Sequence, residues 1–212
     1  MICVSIGEKT VDATVTALEK VVFAEIRLDL IDDLSFDGLE RILNVRKSVI
    51  ITFRQGKIDE FLRIQYLFRA IELGVRYLDI EIESGTETIK QLLYKTYNFE
   101  TEIIISYHNF KETPPLCELL TIVNRCKKLG ASLVKITTFV NRPKDNIILM
   151  ELLEKEKGII VIGMGKKGKI SRVISVFLGS PFTFASLSKD KVTAEGQIDY
   201  KNLKYIFKAL NE

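Results

Sequence analysis

Short apolar runs alternate along this chain with longer segments of helical periodicity, and the alternation recurs eight times. The short runs are rich in β-branched residues, which is typical of strands buried on both faces. In the longer segments apolar residues recur every three or four positions, as amphipathic helices require. The predicted strands cover residues 2–6, 23–28, 49–52, 77–82, 103–107, 133–137, 159–164 and 182–186.

Local signals indicate where several of the helices begin and end. Ser35 and Asp199 are typical of residues that open a helix. Pro114 and Pro115 precede another predicted helix, and Gly130 suits its end. Each predicted strand is thus followed by a helix.

Eight strand–helix pairs in 212 residues leave about 26 residues for each pair, which is enough for a compact βα unit. We therefore expect a single domain over residues 1–212, of the α/β class, folded as a (β/α)8 TIM barrel. The length is near the lower limit of ~200 residues for that fold. An open Rossmann sheet would require a G-x-G-x-x-G turn after an early strand, and the segment from Ser5 to Glu8 is not such a turn.

The cysteines and the single histidine exclude several kinds of metal site. His108 is the only histidine, so a zinc centre with several histidine ligands is impossible. Cys3, Cys117 and Cys126 form no C-x-x-C pair. Three scattered thiols fit the reducing cytoplasm better than a secreted disulfide framework.

Charge and hydropathy exclude other classes of protein. The formal net charge is +3, which is too small to favour nucleic acid or an anionic membrane as a partner. No apolar stretch approaches the ~20 residues of a membrane span. The first seven residues lack the pattern of a signal peptide, so we expect a cytoplasmic protein.

Polar residues gather at the carboxyl ends of the predicted strands, where barrel enzymes carry their active sites. Glu25, Arg27 and Asp29 are spaced by two, so their side chains are expected to share one face of a strand and to point into the barrel. An ion network that only closes the barrel core is the alternative. The other polar residues at strand ends are Ser5, Arg54, Asp79, Glu81, Ser106, His108, Lys135 and Arg172.

Lys135 lies inside the apolar run 133–137, where a strand should be buried on both faces. Burying an ammonium group is costly and favours the neutral amine, which is the form that attacks a ketone carbonyl. Lys135 is therefore a candidate nucleophile. The alternative is a structural ion pair with Asp79 or Glu81.

His108 follows the fifth predicted strand, beside the strand that carries Lys135. Adjacent strands lie roughly 4.8 Å apart, so the imidazole could remove a proton next to an imine formed on Lys135. A histidine that is merely satisfied within the core is the alternative.

Two glycine-containing loops follow the last two strands. Residues 163–171 resemble a P-loop, but Ile170 occupies the position that needs Ser or Thr after Gly-Lys. This loop more plausibly brings Arg172 to an anionic ligand, and a solvated basic turn is the alternative. The loop around Gly196 could place the Thr193 hydroxyl and the Gln197 amide near the same ligand.

Taken together, the strand-end residues and the two loops resemble those of the type I 3-dehydroquinate dehydratases. These enzymes act in the shikimate pathway of aromatic amino-acid biosynthesis. The resemblance covers nearly the whole chain, and its specificity comes from the order and spacing of the segments. The matching segments are residues 2–5, 25–29, 52–54, 106–110, 134–136, 168–172 and 196–198.

The resemblance implies a (β/α)8 barrel, a homodimer, and no metal or organic cofactor. It implies that 3-dehydroquinate is converted to 3-dehydroshikimate through a Schiff base on Lys135, with His108 moving protons as general acid and base while a hydroxyl leaves as water. Thr193 stands where the family usually has Ser, which keeps the hydroxyl. The implied substrate-binding set is Ser5, Glu25, Arg27, Arg54, Arg172, Thr193 and Gln197.

One position departs from the family pattern. Family members place Glu four residues after the Arg of the third strand, where it supports the catalytic His, and this chain has Ile58 there. Asp59, Glu60 and Glu81 are the candidate replacements, and the sequence does not choose among them. A carboxylate beside His108 would hold its orientation and stabilise its protonated form.

Two other functions are compatible with the same residues. A class I aldolase also forms an imine on a barrel lysine, and it would need a phosphate site after strands seven and eight. A non-catalytic protein could use the polar cavity only to hold an anionic metabolite. Imine trapping on Lys135 and activity towards sugar phosphates discriminate among these functions.

Overall fold

The computed structural model describes residues 1–211, and over that range it contains eight strands and eight helices in strict alternation. The predicted strand positions are confirmed to within one or two residues at most ends. The strands are β1 (Ile2–Ile6), β2 (Ala24–Arg27), β3 (Ile50–Thr52), β4 (Tyr77–Glu81), β5 (Glu102–Asn109), β6 (Leu133–Phe139), β7 (Ile159–Met164) and β8 (Thr183–Ser186).

The predicted helix signals act as caps. The Ser35 hydroxyl accepts a hydrogen bond from the backbone N–H of Gly38 at 3.0 Å. Pro115 precedes α5, and Gly130 ends it with a φ of 105°, a left-handed conformation that favours glycine. The helices are α1 (Val11–Leu18), α2 (Phe36–Val45), α3 (Glu60–Glu72), α4 (Thr86–Thr96), α5 (Leu116–Leu129), α6 (Pro143–Lys155), α7 (Ser171–Phe177) and α8 (Tyr200–Asn211).

All eight strands belong to one parallel sheet in the order β7-β6-β5-β4-β3-β2-β1-β8. Its two end strands, β7 and β8, approach each other, and the backbone N–H of Gly165 after β7 donates to the carbonyl of Glu195 after β8 at 3.3 Å. The sheet therefore forms a nearly closed barrel surrounded by helices. The predicted (β/α)8 fold is confirmed.

Alternate residues of each strand face the helices or the barrel interior. Outward residues such as Val4, Ile26 and Leu78 are buried in the core that joins the strands to the helices. The inward residues nearest the amino ends of the strands form a second apolar layer, which we call the barrel floor. Its members are Cys3, Phe23, Ile50, Tyr77, Ile104, Leu133, Ile160 and Phe182.

None of the helices within residues 1–211 has the length and apolar character needed to cross a membrane.

Candidate active site

Above the barrel floor, at the carboxyl ends of the strands, lies a cavity of about 540 Å³. A volume of this size is typical of small-molecule sites. We call the inward-facing layer around it the barrel mouth. Every site residue expected from the sequence lines this cavity: Ser5, Glu25, Arg27, Arg54, His108, Lys135, Arg172, Thr193 and Gln197. The other lining residues are Gln55, Glu81, Glu83, Phe110, Thr137, Ile162, Met164, Phe184 and Ala194.

The amine of Lys135 is only 4% exposed and is held by two carboxylates and an aromatic ring. Its Nζ donates to Asp79 Oδ2 at 2.8 Å and to Glu25 Oε1 at 3.2 Å. The same atom lies 4.3 Å from the ring centroid of Phe184, a cation–π distance. The ion pair with Asp79 that the sequence allowed is present, and Glu25 rather than Glu81 is the second partner.

The two carboxylates beside Lys135 are themselves fully hydrogen-bonded. Glu25 accepts from the hydroxyls of Ser5 at 2.8 Å and Thr52 at 2.9 Å, and Asp79 accepts from Ser106 Oγ at 2.6 Å. Burial is the largest single influence and acts to raise the pKa of both carboxyls, but the charge of Lys135 together with the nearby arginines outweighs it, so both pKa values lie below their ordinary range. Both groups are therefore anionic at neutral pH.

His108 lies within β5, because that strand continues three positions beyond Ser106. Its Nε2 is 3.0 Å from Arg54 Nη2, and a guanidinium can only donate, so Nε2 accepts and the proton of the neutral ring resides on Nδ1. Burial, followed by the charges of Arg54 and Lys135, holds the pKa of His108 well below its usual range. The imidazole is therefore neutral at pH 7.

Arg27 and Asp29 differ from the arrangement expected from their spacing. Strand β2 ends at Arg27, and residues Leu28–Leu30 form a short 3-10 turn. The turn brings Asp29 back onto Arg27, whose Nε and Nη2 donate to the carboxylate at 2.9 and 2.6 Å. Glu25, Arg27 and Asp29 therefore do not continue as one strand face, and Asp29 orients Arg27 at the edge of the cavity.

Arg172, in the first turn of α7, is 1% exposed and has no carboxylate partner within residues 1–211. Its Nη1 donates to the carbonyl of Phe184 at 3.3 Å, and its Nε has no hydrogen-bond partner. Burial lowers the pKa of this guanidinium to about 10, so it remains charged at neutral pH. A buried cation without a counter-ion, at the edge of a cavity, is suited to an anionic ligand.

The loop after β8 packs against the loop after β7. A Cβ on Gly196 would collide with the carbonyl of Gly165, and Gly196 has a φ of 79°, so only glycine fits this contact. Gln197 Oε1 accepts from the backbone N–H of Thr193 at 2.8 Å, and its Nε2 donates to the Thr193 hydroxyl at 3.1 Å. These bonds hold both side chains at the cavity.

None of the three candidate acids hydrogen-bonds to His108. Asp59 is the N-cap of α3 and accepts from the backbone of Leu62, and Glu60 pairs with Arg63. Glu81 lies nearest in the network, because its Oε1 is 3.0 Å from Nη1 of Arg54, whose Nη2 contacts His108. The cation of Arg54 thus stands between the imidazole and the carboxylate.

The sequence leaves several residues of the structural site out of the expected set. Asp79 enters only as a possible structural partner, although this buried carboxylate, which does not itself line the cavity, forms the shorter bond to Lys135. Thr137 and Phe184 received no role. The period of two along each strand could have identified Thr137, because it lies two residues after Lys135 and therefore on the same face. Within residues 1–211, no group of three or more His, Cys, Asp or Glu side chains is arranged to hold a metal ion.

Comparisons with known proteins identify the family of the chain. The 3-dehydroquinate dehydratase of Methanococcus vannielii is 38% identical over 221 aligned positions, which cover 97% of this chain and 98% of that protein. The enzyme of the same name from Methanocaldococcus jannaschii is 33% identical, with 100% and 99% covered.

Among solved structures, a type I 3-dehydroquinate dehydratase from Clostridium difficile superposes with a TM-score of 0.88 at 26% identity, covering 99% of this chain and 91% of that chain. A model of the type I 3-dehydroquinase family matches residues 2–212. The chain therefore belongs to the type I 3-dehydroquinase family of hydro-lyases.

Proposed function

We propose that this chain dehydrates 3-dehydroquinate to 3-dehydroshikimate, a reaction of the shikimate pathway, through a Schiff base on Lys135 with His108 as general acid and base. The observation that carries the proposal is the joint placement of three groups around one cavity. They are the buried amine of Lys135, the neutral imidazole of His108 and the buried guanidinium of Arg172, which has no counter-ion among residues 1–211.

Arg172 is the proposed anchor for the substrate carboxylate. Its guanidinium carries free donors, because the Phe184 carbonyl is the only acceptor that it contacts within residues 1–211. A guanidinium binds a carboxylate through two parallel hydrogen bonds, and burial strengthens that attraction. Arg27 and Arg54 are already occupied by Asp29 and Glu81, so their remaining donors suit neutral hydroxyls.

Lys135 is the proposed nucleophile. The Lys135 ammonium first passes one proton to His108, and the resulting neutral amine adds to the ketone carbon. His108 returns that proton as the carbonyl oxygen leaves as water, so ammonium and ketone give a protonated imine and one water. That cation draws electrons from the neighbouring carbon, so the proton on that carbon becomes acidic. The carboxylates of Asp79 and Glu25 hold the amine in place before attack and stabilise the iminium charge afterwards.

His108 is the proposed proton carrier. Its imidazole removes the proton beside the imine, giving an enamine, and returns a proton to the β-hydroxyl, which leaves as water while the enamine becomes a conjugated iminium. Water then hydrolyses the iminium and restores the amine. A bound substrate carboxylate adds negative charge near Arg54 and Arg172, which raises the proton affinity of His108 when it must act as a base.

Other features of the proposal rest on the sequence pattern and on the family resemblance. We propose a single domain over residues 1–212, a homodimer, a cytoplasmic location and a reaction that needs no metal or organic cofactor. Analytical ultracentrifugation measures the dimer directly. A chelator assay tests the reaction, because inhibition that added metal reverses would contradict the scheme.

Borohydride trapping tests the imine. The protein is incubated with 3-dehydroquinate, reduced, and analysed by intact mass and peptide mapping. Reduction converts the imine to a stable secondary amine, so we expect one added ligand mass on Lys135. The Lys135→Met variant should show neither adduct nor turnover. An unlabelled Lys135 in the wild type, or an adduct on another lysine, would refute the Schiff-base mechanism.

The His108→Ala variant separates the two catalytic roles. General acid–base catalysis is worth about 10²–10⁴-fold, so we expect kcat to fall by at least that factor while Lys135 still forms a trappable adduct. Turnover close to that of the wild type would contradict the role of His108. Circular dichroism of each variant shows whether the fold is retained.

A further inference from the structure

Thr137 is a cavity residue for which the mechanism above has no use. It lies in β6 two positions after Lys135, so its side chain projects from the same face of the strand. The residue is 5% exposed, and its Oγ1 is buried without a hydrogen-bond partner among residues 1–211. A buried hydroxyl in this state destabilises the ligand-free protein relative to valine of the same shape.

A second unpartnered polar atom lies beside it. Nδ1 of His108 is also buried and makes no hydrogen bond within the described chain. His108 and Thr137 are directly paired in the register of β5 and β6, and both line the cavity. Nε2 of His108 accepts from Arg54, and the Thr137 hydroxyl lies beside the proposed proton carrier without being hydrogen-bonded to it.

We propose that Thr137 Oγ1 binds one neutral oxygen of the substrate, a hydroxyl group adjacent to the site of imine formation. A substrate hydroxyl can exchange a hydrogen bond with the Thr137 hydroxyl, which satisfies the unpartnered Oγ1 and leaves His108 available for proton transfer. Thr137 is thereby a specificity residue that fixes this hydroxyl next to the proton carrier. The inference rests on the proposed dehydratase function.

The neighbours of Thr137 support a ligand rather than a protein partner. Along β6 it follows Lys135, and across to β7 it is paired with Ile162, whose apolar side chain also lines the cavity. Other buried hydroxyls without partners exist at Ser175, Thr183 and Ser186, but these residues do not line the cavity. Thr137 combines an unsatisfied hydroxyl with a place beside both proposed catalytic groups.

The adjacent threonine provides a matched control. Thr138 is fully buried, but its Oγ1 is hydrogen-bonded to Thr113 Oγ1 at 2.8 Å on the opposite face of β6. Replacing Thr138 by valine therefore removes a hydroxyl from the same strand without touching the cavity. It should lower the thermal stability and leave kcat/KM close to that of the wild type.

The test compares Thr137→Val, Thr137→Ser and Thr138→Val with the wild type, using 3-dehydroquinate turnover and borohydride trapping. A hydrogen bond between neutral groups is worth about tenfold, so Thr137→Val should lose about that factor in kcat/KM. Thr137→Ser restores the hydroxyl and should return kcat/KM to within about threefold of the wild type. Trapping on Lys135 should persist in all three variants.

The outcomes distinguish the two proposals. If the wild type turns over and is trapped on Lys135, but Thr137→Val stays within about twofold of it, the role of Thr137 is refuted and the dehydratase function stands. A Ser variant as slow as the Val variant would also refute it, because packing rather than the hydroxyl would then matter. A wild type without turnover or adduct would refute both. Should Thr137→Val not fold, Thr137→Ala removes the same hydroxyl without adding volume and carries the same expectation.

Discussion

The barrel floor and the barrel mouth are built by the same strands, only two residues apart, yet their chemistry is opposite. Phe23 is followed two positions later by Glu25, Tyr77 by Asp79, and Leu133 by Lys135. In the floor, the rings of Phe23 and Phe182 pack edge to face at 5.2 Å. In the mouth, the buried ammonium of Lys135 forms ion pairs with the carboxylates of Glu25 and Asp79. The floor therefore supplies stability by burying apolar surface, whereas the mouth carries groups whose burial is costly.

The barrel mouth is itself uneven. Strands β1 to β6 and the turns after them contribute most of its charged and hydroxyl groups, whereas β7 and β8 themselves contribute Ile162, Met164 and Phe184. This apolar wall limits the access of water, which strengthens electrostatic interactions across the cavity. It is consistent with burial being the main cause of the lowered pKa values of His108 and Arg172. If apolar side chains lined every side of the cavity, its buried charged groups would have no ion-pair or hydrogen-bond partners.

Shortening a side chain in the barrel floor should lower the free energy of unfolding and leave the catalytic rate nearly unchanged. Phe23 is 5% exposed and contacts the rings of Tyr77 and Phe182. Replacing Phe23 by alanine leaves a cavity and should lower the free energy of unfolding by about 3–5 kcal/mol. Urea unfolding measures this loss. The kcat of the folded fraction should change by less than about threefold; a much larger fall in kcat would show that the floor also positions the mouth.

Arg63 and Arg172 are both buried, but the first has a structural environment and the second lines the proposed active site. Arg63 is 1% exposed and fully satisfied, since it pairs with Glu60 and donates to the carbonyl of Phe53 at 2.8 Å. Arg172 is equally buried, but within the described part of the chain it has one weak acceptor and no counter-ion. Arg63→Met should therefore lower the free energy of unfolding by about 1–3 kcal/mol, because it leaves buried acceptors unpaired.

Arg172→Met should have the opposite effect. It removes an unpaired buried charge, so the free energy of unfolding should stay level or rise. The same change removes the proposed carboxylate anchor, so KM for 3-dehydroquinate should rise by about 10²-fold. Urea unfolding and steady-state kinetics on both variants test the pair. A destabilised Arg172→Met variant with unchanged KM would mean that this arginine is structural.

The strand pattern could be predicted because each strand is buried on both faces and reads as a continuous apolar run. The exact ends of the strands were less predictable. Strands β5 and β6 continue through His108, Asn109 and Thr138, polar residues that apolar patterning excludes. Strand β2 ends earlier than the apolar run, since residues Leu28–Leu30 turn to bring Asp29 onto Arg27.

The residues of the mouth were recognisable, but their pairing was not. Lys135 bonds to Asp79 and Glu25, which lie 56 and 110 positions away in the sequence. No local pattern could choose Glu25 over Glu81, because the choice depends on how far each side chain reaches across the barrel. The position of Arg54 between Glu81 and His108 is likewise a property of the closed barrel.

The charge state of His108 offers the most sensitive probe of the mouth, although its energetic effect is the smallest. Burial and Arg54 lower the pKa of His108 in the folded protein below the value of about 6.5 in an unfolded chain. Between these two pKa values the unfolded chain binds one proton more than the folded protein. The stabilising contribution of neutral His108 is therefore present above about pH 6.5 and is lost as the pH falls towards the folded pKa.

We expect the free energy of unfolding to fall as the pH drops below about 6.5, and the slope to be steeper in the wild type than in His108→Asn by up to about 1.4 kcal/mol per pH unit. His108 is the only histidine of the chain, so no other imidazole contributes in this window. Glu83, whose pKa is raised by burial, is present in both proteins and largely cancels in the difference. Equal slopes in urea unfolding of the two proteins would mean that His108 is protonated normally when folded, which would place the mouth in contact with bulk water.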